Sequence, residues 1–432
     1  MAELLSPGQK IQTLFGGSIC VKKFLAECGQ WQVYIVDCNG KEKALKWYKT
    51  SSLGENPQAF YENIRENIAK GTPGPEFLWP QDITQWHDGS FGYVMELRPE
   101  GCYDLSEFML CHMRFSSYRT VIDAALSIVS AFMRLHSGGY LFHSVNEYNF
   151  FINPQNGQVF ICGDNGILKE GQIPDTLGNP RYMAPEIVTH KSMPNSLTDR
   201  FSMAVILYIL FCLNHPLEGK RYLAAALTPQ MQDQLYGTEP IFMMDPQDKR
   251  NEPHPTTHKN SLMVWPCLPD YIQEIFIGAF SKKAFEHPSA RPSEINWLHV
   301  LTRFRSDIVL CSCGNEVFTK NGTGCSCDAC GKKLIISHRL ALKDYSIPVG
   351  KDARIYRCQL GICDETKALQ PVAQIVKKRD AELYGVRNKT NQRWDAVTSK
   401  GDHRKVAPEE VVPVKDGIVL KIADQLIEIK AN

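Results

Sequence analysis

The chain carries almost no charge imbalance. Lys and Arg total 48 and Asp and Glu total 47, a net charge of +1. That removes the electrostatic footprint that wholesale binding to nucleic acid or an acidic membrane needs. A long hydrophobic run is also missing. The longest, Met203–Leu213, lies between Arg200 and His215 and is too short to cross a bilayer. The opening residues Met1-Ala2-Glu3-Leu4-Leu5-Ser6-Pro7-Gly8 offer neither a basic n-region nor an apolar h-region, so no secretory leader is expected. Repeats and low-complexity stretches are absent too. What remains is the expectation of a soluble, cytoplasmic protein with no membrane and no nucleic-acid partner. The 432 residues are 43% hydrophobic and 22% charged, ordinary for a globular chain of two to four domains. The 15 cysteines, an odd number, are the one compositional excess. In a cytoplasmic chain they read as reduced core residues plus a metal site.

The first hundred or so residues pattern as strands with one helix. Val33-Tyr34-Ile35-Val36-Asp37 alternates apolar and polar, Asn39-Gly40 signals a hairpin, and Lys43 to Tyr48 gives the return strand. Gln58 to Lys70 is helical, with Tyr61, Ile64 and Ile68 on one face and Gly71 after it. From Ser116 to about Arg305 the period is mostly helical, with Val121, Ala125, Ile128, Phe132 and Leu135 as one stripe. The strand–turn–strand Phe150 to Ile161 interrupts it. A cysteine cluster runs from Cys311 to Cys330, and short apolar strands separated by turn residues follow His338.

Several local features stand in a telling order. They are Ala44-Leu45-Lys46, Met95-Glu96 at the end of a strand, His143-Ser144-Val145-Asn146-Glu147-Tyr148-Asn149, Gly163-Asp164-Asn165-Gly166, Ala184-Pro185-Glu186, Asp199, and Ala290-Arg291-Pro292. In this order they resemble the protein kinase fold across residues 18–305. The resemblance implies an N-lobe of about 1–97 and a C-lobe of about 98–305. It also implies a nucleotide cleft at Lys46, Glu62, Met95, Glu96, Asn149 and Asp164. Phe77-Leu78-Trp79-Pro80, Pro180-Arg181-Tyr182-Met183, His215-Pro216-Leu217-Glu218-Gly219 and Arg291 to Trp297 are similar to a bacterial kinase-like group. Its members are often encoded beside von Willebrand factor A proteins and metal-dependent serine/threonine phosphatases in tellurite-resistance-type stress systems. That resemblance implies those two classes as protein partners.

The residues needed for phosphoryl transfer are altered within this frame. The glycine-rich loop positions hold Ala26, Cys28 and Trp31, with Gly29 between them, and an indole takes space that phosphates need. Lys46 keeps the ammonium that pairs with phosphates. Its carboxylate partner is Glu62 or, one turn on, Glu66, with Glu62 preferred. Counting back from the metal-holding Asn149 puts Ser144 at the catalytic aspartate position, and serine is no base near neutrality. Glu147 is near, and His143 is an orienting residue or a base. The metal-binding aspartate position falls on Gly163, with Asp164 one residue late. In extended backbone that shift aims a carboxylate to the other face, unless a bulge restores it. ATP–Mg²⁺ binding is therefore in question. The scaffold persists: Glu186 and Arg291 are expected to form the ion pair that locks the C-lobe, and Asp199 to hold the catalytic-loop backbone. Thr176 reads as a surface-loop threonine, with a phosphosite as the other reading.

Cys311-Ser312-Cys313-Gly314 and Cys327-Asp328-Ala329-Cys330-Gly331 pair thiols with glycine turns. Four thiolates suit tetrahedral Zn²⁺, and residues 308–335 read as a zinc ribbon that the metal holds folded. Cys325 competes as a ligand, and a disulfide or free thiols is the alternative. In residues 340–432, Gly385 to Trp394 followed by Lys415 to Leu420 resembles the later strands of a forkhead-associated β-sandwich. Such domains bind phosphothreonine through a loop arginine and serine whose motifs are missing here. Arg387, Asn388 and Lys389 read as polar turn residues or as partner contacts. The fold class is therefore α+β: a bilobal kinase-like domain, a zinc ribbon and a β-sandwich. The favoured function is a pseudokinase acting as a regulatory or scaffold protein in bacterial stress and phospho-signalling. The alternative is an active atypical serine/threonine kinase using Glu147, His143 or Asp164 in shifted roles.

Overall fold

The computed structural model describes residues 5–27, 29–54, 56–163, 167–172, 178–223, 228–319, 322–350, 353–361, 367–378 and 383–432. Cys28, Asp164 and Thr176 lie outside the described residues.

The N-terminal lobe is an antiparallel sheet: β1 (Lys10–Gln12), β2 (Ser18–Glu27), β3 (Trp31–Cys38), β4 (Lys41–Tyr48), β5 (Asp82–Ile83) and β6 (Gly92–Met95), in the order β1-β2-β3-β4-β6-β5. The β3–β4 turn has φ of 52° at Asn39 and 82° at Gly40, the two positive values a type I′ hairpin needs. Helix α1 (Pro57–Lys70) starts where the Asn56 side chain accepts the Ala59 N–H, and ends at Gly71 with φ 82°. Tyr61 and Ile64 bury its inner face against Tyr48, Phe91 and Tyr93 of the sheet.

The C-terminal lobe begins with β7 (Tyr103–Asp104), α2 (Leu105–Met109) and α3 (Tyr118–Ser137). It continues through β8 (Tyr140–Phe142), β9 (Phe150–Ile152), β10 (Val159–Ile161), β11 (Ile167–Lys169) and α4 (Pro185–Val188). Then come α5 (Ser196–Cys212), α6 (Pro229–Asp233), α7 (Lys259–Val264), α8 (Asp270–Ala279), α9 (Lys282–Glu286) and α10 (Glu294–Asp307). Helix α5 is apolar on nearly every side because it is the lobe's centre, buried from Phe201 to Cys212. Phe132 of α3, Tyr208 of α5, Phe276 of α8 and Trp297 of α10 share one core. Each such side chain is worth roughly 2–3 kcal/mol of burial. No helix among the described residues is long and apolar enough to cross a membrane.

Two short hairpins follow, β12 (Ile308–Leu310) with β13 (Glu316–Phe318) and β14 (Cys325–Ser326) with β15 (Lys333–Leu334). Apart from a 3-10 turn at Arg357–Leu360, the regular structure among the described residues that follow is all strand: β16 (His338–Ala341), β17 (Ser346–Pro348), β18 (Arg354–Tyr356), β19 (Pro371–Lys377), β20 (Tyr384–Asn388), β21 (Trp394–Val397), β22 (His403–Val406), β23 (Val411–Pro413), β24 (Val419–Ile422) and β25 (Gln425–Ala431). They form a six-stranded sheet, β17-β16-β25-β24-β21-β22, and a four-stranded sheet, β18-β19-β20-β23. Their inner faces share a core around Leu340, Trp394, Leu420 and Ile427. This module is packed onto the lobe before it. Cys358 and Ala368 belong to the core of the C-terminal lobe, and Cys358 Sγ lies 3.8 Å from Thr302 Oγ1 of α10.

Candidate functional site

The cleft between the lobes is built from β3, β4 and β6 above and β8 to β10 below. Lys46 is buried on β4 at 5% exposure. Val33 is its direct partner on β3, and from the diagonal position two residues away the Trp31 ring stands over the ammonium, with Nζ 4.3 Å from the ring centroid. That is a cation–π contact, so the indole sits where phosphates would approach the lysine. Glu62 is held on its own helix, by Arg65 at 2.7 Å and by the Gln58 amide at 3.1 Å. Glu66 instead reaches Lys169. Met95 is buried, 4.0 Å in Sδ–Sγ distance from Cys162. Glu96 points outward, holding Lys43 at 3.2 Å. The Gln81 amide that donates to it, with Lys43, keeps its carboxyl below the usual range.

The lower wall shows why the altered positions fit together. A Cβ built on Gly163 would lie 2.5 Å from Cζ of Phe142 and 2.7 Å from its Cε2. The Phe142 ring therefore fills the space into which a side chain at 163 would project. Gly178 packs just as closely on the catalytic-loop backbone, where its Cβ would lie 2.7 Å from His143 O and 3.1 Å from Ser144 Cα. Asn149 has its amide engaged at both ends. Its Oδ1 accepts the Asn146 N–H at 2.8 Å, and its Nδ2 donates to Cys162 O at 2.8 Å. Glu147 faces Arg181, 3.5 Å away, and that guanidinium also grips Glu218 with two bonds of 2.5 and 3.0 Å. The Tyr236 hydroxyl donates to Glu218 at 2.7 Å. His215 beside it is fully buried, which lowers it to about 4 and keeps the imidazole neutral.

The charges of the scaffold are paired. Arg291 donates twice to Glu186, both at 2.7 Å, and once to Leu197 O at 2.8 Å, which is the lock expected of that pair. Asp199 accepts the Phe142 N–H at 2.7 Å and so holds the start of the catalytic loop. His136 joins Asp199 to Glu294, 3.0 Å from each. Burial alone would lower His136, but the two carboxylates raise it to about 9. Burial likewise opposes Glu294, yet His136 and Arg200 bring it down to about 2. An imidazolium thus ties α3, α5 and α10 together, a role with no local sign in the residues around His136.

Cys311, Cys313, Cys327 and Cys330 converge, all four sulfurs within 4.8 Å of one another. The Cys311–Cys330 and Cys313–Cys327 sulfurs are each 3.7 Å apart. A tetrahedron with metal–sulfur bonds of about 2.3 Å has edges of about 3.8 Å, whereas a disulfide needs about 2.05 Å. The cluster can hold a metal ion. Gly314 with φ +90° and Gly331 with φ +69° make the knuckle turns, which put backbone N–H groups beside sulfur. The Cys313 N–H, with neighbouring thiols, lowers Cys311 to about 6, as a ligand thiolate requires. Cys325 lies outside the cluster, and the described cysteines are all free of disulfides.

On the sandwich, a cavity of about 440 Å³ is lined by Arg357, Lys367, Gln370, Lys389, Thr390 and Asn391. Asn388 beneath it is fully buried and bonds Thr390, Gln392 and Val406, so it shapes the turn. Lys389 bonds Glu409 at 2.6 Å.

Comparison with known proteins agrees with this geometry. Residues 84–273 match the family model described as protein kinase domain. The chain is similar to serine/threonine-protein kinase Nek5 of Homo sapiens, 27% identical over 169 residues, covering 35% of this chain and 23% of that protein. It is also similar to maternal embryonic leucine zipper kinase of Danio rerio, 30% identical over 125 residues, covering 28% of this chain and 18% of that protein. The chain thus spans under a quarter of the length of these relatives. It carries a protein kinase-like domain with serine/threonine kinase relatives.

Proposed function

We propose that this is a pseudokinase-type protein, a kinase-like scaffold whose cleft does not transfer phosphate. The observation that carries the reading is the fit of Phe142 against Gly163, which leaves no room for a carboxylate at the metal-binding position. Ser144 supplies no base, Asn149 is bonded at both ends, and Trp31 covers Lys46. The four-cysteine cluster would hold zinc in a structural role, since four thiolates leave no open coordination position. The two antiparallel sheets fit a sandwich of the forkhead-associated type. Its cationic cavity at Arg357, Lys367 and Lys389 would take a phosphorylated segment of a protein partner. The motif resemblance supports a role in the bacterial cytoplasm, in a stress system with a von Willebrand factor A protein and a metal-dependent phosphatase as partners.

The test is a thermal-shift measurement with Mg²⁺ and ATP, paired with a labelled-phosphate assay. A ligand at 100 times its Kd adds roughly 2.7 kcal/mol of apparent stability. The scaffold reading expects no phosphate transfer. Transfer that is abolished by Lys46→Ala would overturn it and favour an atypical kinase.

A further inference from the structure

The cysteine hairpins do more than follow the kinase-like domain. Glu316, the first residue of β13, reaches across 198 positions of sequence to the start of α3. Its Oε2 accepts the Tyr118 N–H at 2.6 Å, and the Arg119 N–H lies 3.2 Å from Oε1 and 3.3 Å from Oε2. The Thr120 N–H is taken by Ser117 Oγ at 3.2 Å. The first N–H groups of a helix have no intrahelical acceptor, and a carboxylate there also meets the positive end of the helix dipole. Arg119 answers by donating from Nη2 to Ile308 O at 3.2 Å.

Glu316 is held in place by the knuckle. Asn315, its neighbour, accepts the Cys311 N–H on its carbonyl at 2.9 Å and points its amide at Cys327 Sγ, 3.8 Å away. Two residues further on, Val317 packs against Cys311 and Cys327. The far end of α3 carries His136, which is bound to Asp199 and Glu294 beneath the catalytic loop.

We infer that metal occupancy of the cysteine cluster controls the kinase-like lobe through Glu316, which caps α3 only while the knuckle is closed. The inference rests on the metal reading above. With metal bound, Glu316 is positioned and the first turn of α3 is fixed. Without it the knuckle has too little apolar surface to stay folded, Glu316 is released, and the Tyr118 and Arg119 N–H groups return to water. Coupling of this kind is reciprocal, so loss of the cap weakens metal binding by the same factor.

The experiment uses the full chain loaded with Zn²⁺ and measures amide hydrogen exchange at Tyr118 and Arg119. It compares the loaded protein, the chelated protein and the loaded Glu316→Gln variant, with Zn²⁺ affinity read by competition against a chromophoric chelator. Ile335→Ser, at an 85% exposed position of the same module, serves as control. Chelation and Glu316→Gln are each expected to speed exchange at both amides about tenfold, with Zn²⁺ affinity of Glu316→Gln falling about tenfold. Tight Zn²⁺ binding with unchanged exchange, or with unchanged affinity in Glu316→Gln, would overturn the coupling and leave the metal site standing. Failure to bind Zn²⁺ at all would overturn the metal reading, and the coupling with it.

Discussion

Two polar regions of the kinase-like domain meet at Phe142, whose N–H bonds Asp199 and whose ring lies against Gly163, and they have opposite character. Around Arg291 and His136 every charge meets its counterpart. Glu186 is gripped twice, and Asp199 and Glu294 share one imidazolium. In the cleft, the polar groups are instead covered by rings or turned to the backbone. An indole covers Lys46, a phenyl ring fills the space at Gly163, and both ends of Asn149 serve the backbone. Both regions are closely packed. The difference teaches that the architecture of this lobe rests on contacts separate from those of its cleft. The ion pairs that shape the lobe work whether or not a nucleotide binds.

The comparison can be broken at the scaffold first, where the largest effects are expected. Arg291→Ala leaves Glu186 buried without its partner and should cost about 3–5 kcal/mol in chemical denaturation. A loss below about 1 kcal/mol would remove the scaffold side of the contrast. Next comes pH. His136 is raised to about 9 in the folded chain, against about 6.5 when unfolded. Its contribution is therefore fully present below about pH 6.5 and fades as pH rises through about 9. It is on the order of 3 kcal/mol. Glu294, lowered to about 2, contributes above about pH 4.5 and fades only as pH falls through about 2. Denaturation curves at pH 6 and pH 9.5 should differ accordingly, and His136→Asn should remove most of that difference.

The cleft gives smaller effects. Gly163→Asp drives a Cβ into the Phe142 ring and should destabilise by about 1–3 kcal/mol without creating Mg²⁺ binding. Combined with Phe142→His, the loss should be less than the sum of the two single changes, a coupling that a double-mutant cycle reads directly. Strict additivity would mean that the two positions do not exclude each other. Smallest is Trp31→Leu, which removes a cation–π contact worth about 0.5–2 kcal/mol. A fall in stability inside that range, read by thermal melting, sharpens the view that the indole is a cover for Lys46. No change at all would make it an idle neighbour.

Much of this was legible in the sequence where the signal is local. The helix expected from Gln58 to Lys70 is α1 at Pro57–Lys70. The stripe from Val121 to Leu135 is the buried face of α3, and the strand–turn–strand from Phe150 to Ile161 is β9 and β10. The cysteine pairs converge because glycine turns and thiol spacing are written within a few residues. Contacts made across the fold were not legible. Trp31 read as an indole in space that phosphates need, but its contact with Lys46, diagonal to the direct pair Val33–Lys46, is a feature of strand register. Nothing near Glu316 announces a helix start 198 positions earlier. Phe142 carried no warning either, since a phenylalanine closing a strand is ordinary until Gly163 is placed beneath it. Strands β16, β17 and β22 escaped notice because His338–Ala341, Ser346–Pro348 and His403–Val406 lack a clean apolar alternation.

The nesting of Phe142 on Gly163 also bears on how the two positions can change. A single substitution that adds a side chain at 163 meets the ring, and trimming the ring alone opens a cavity that nothing fills. Each step taken singly leaves the lobe less well packed, so the two positions are expected to vary together, each restricting what its neighbour can become.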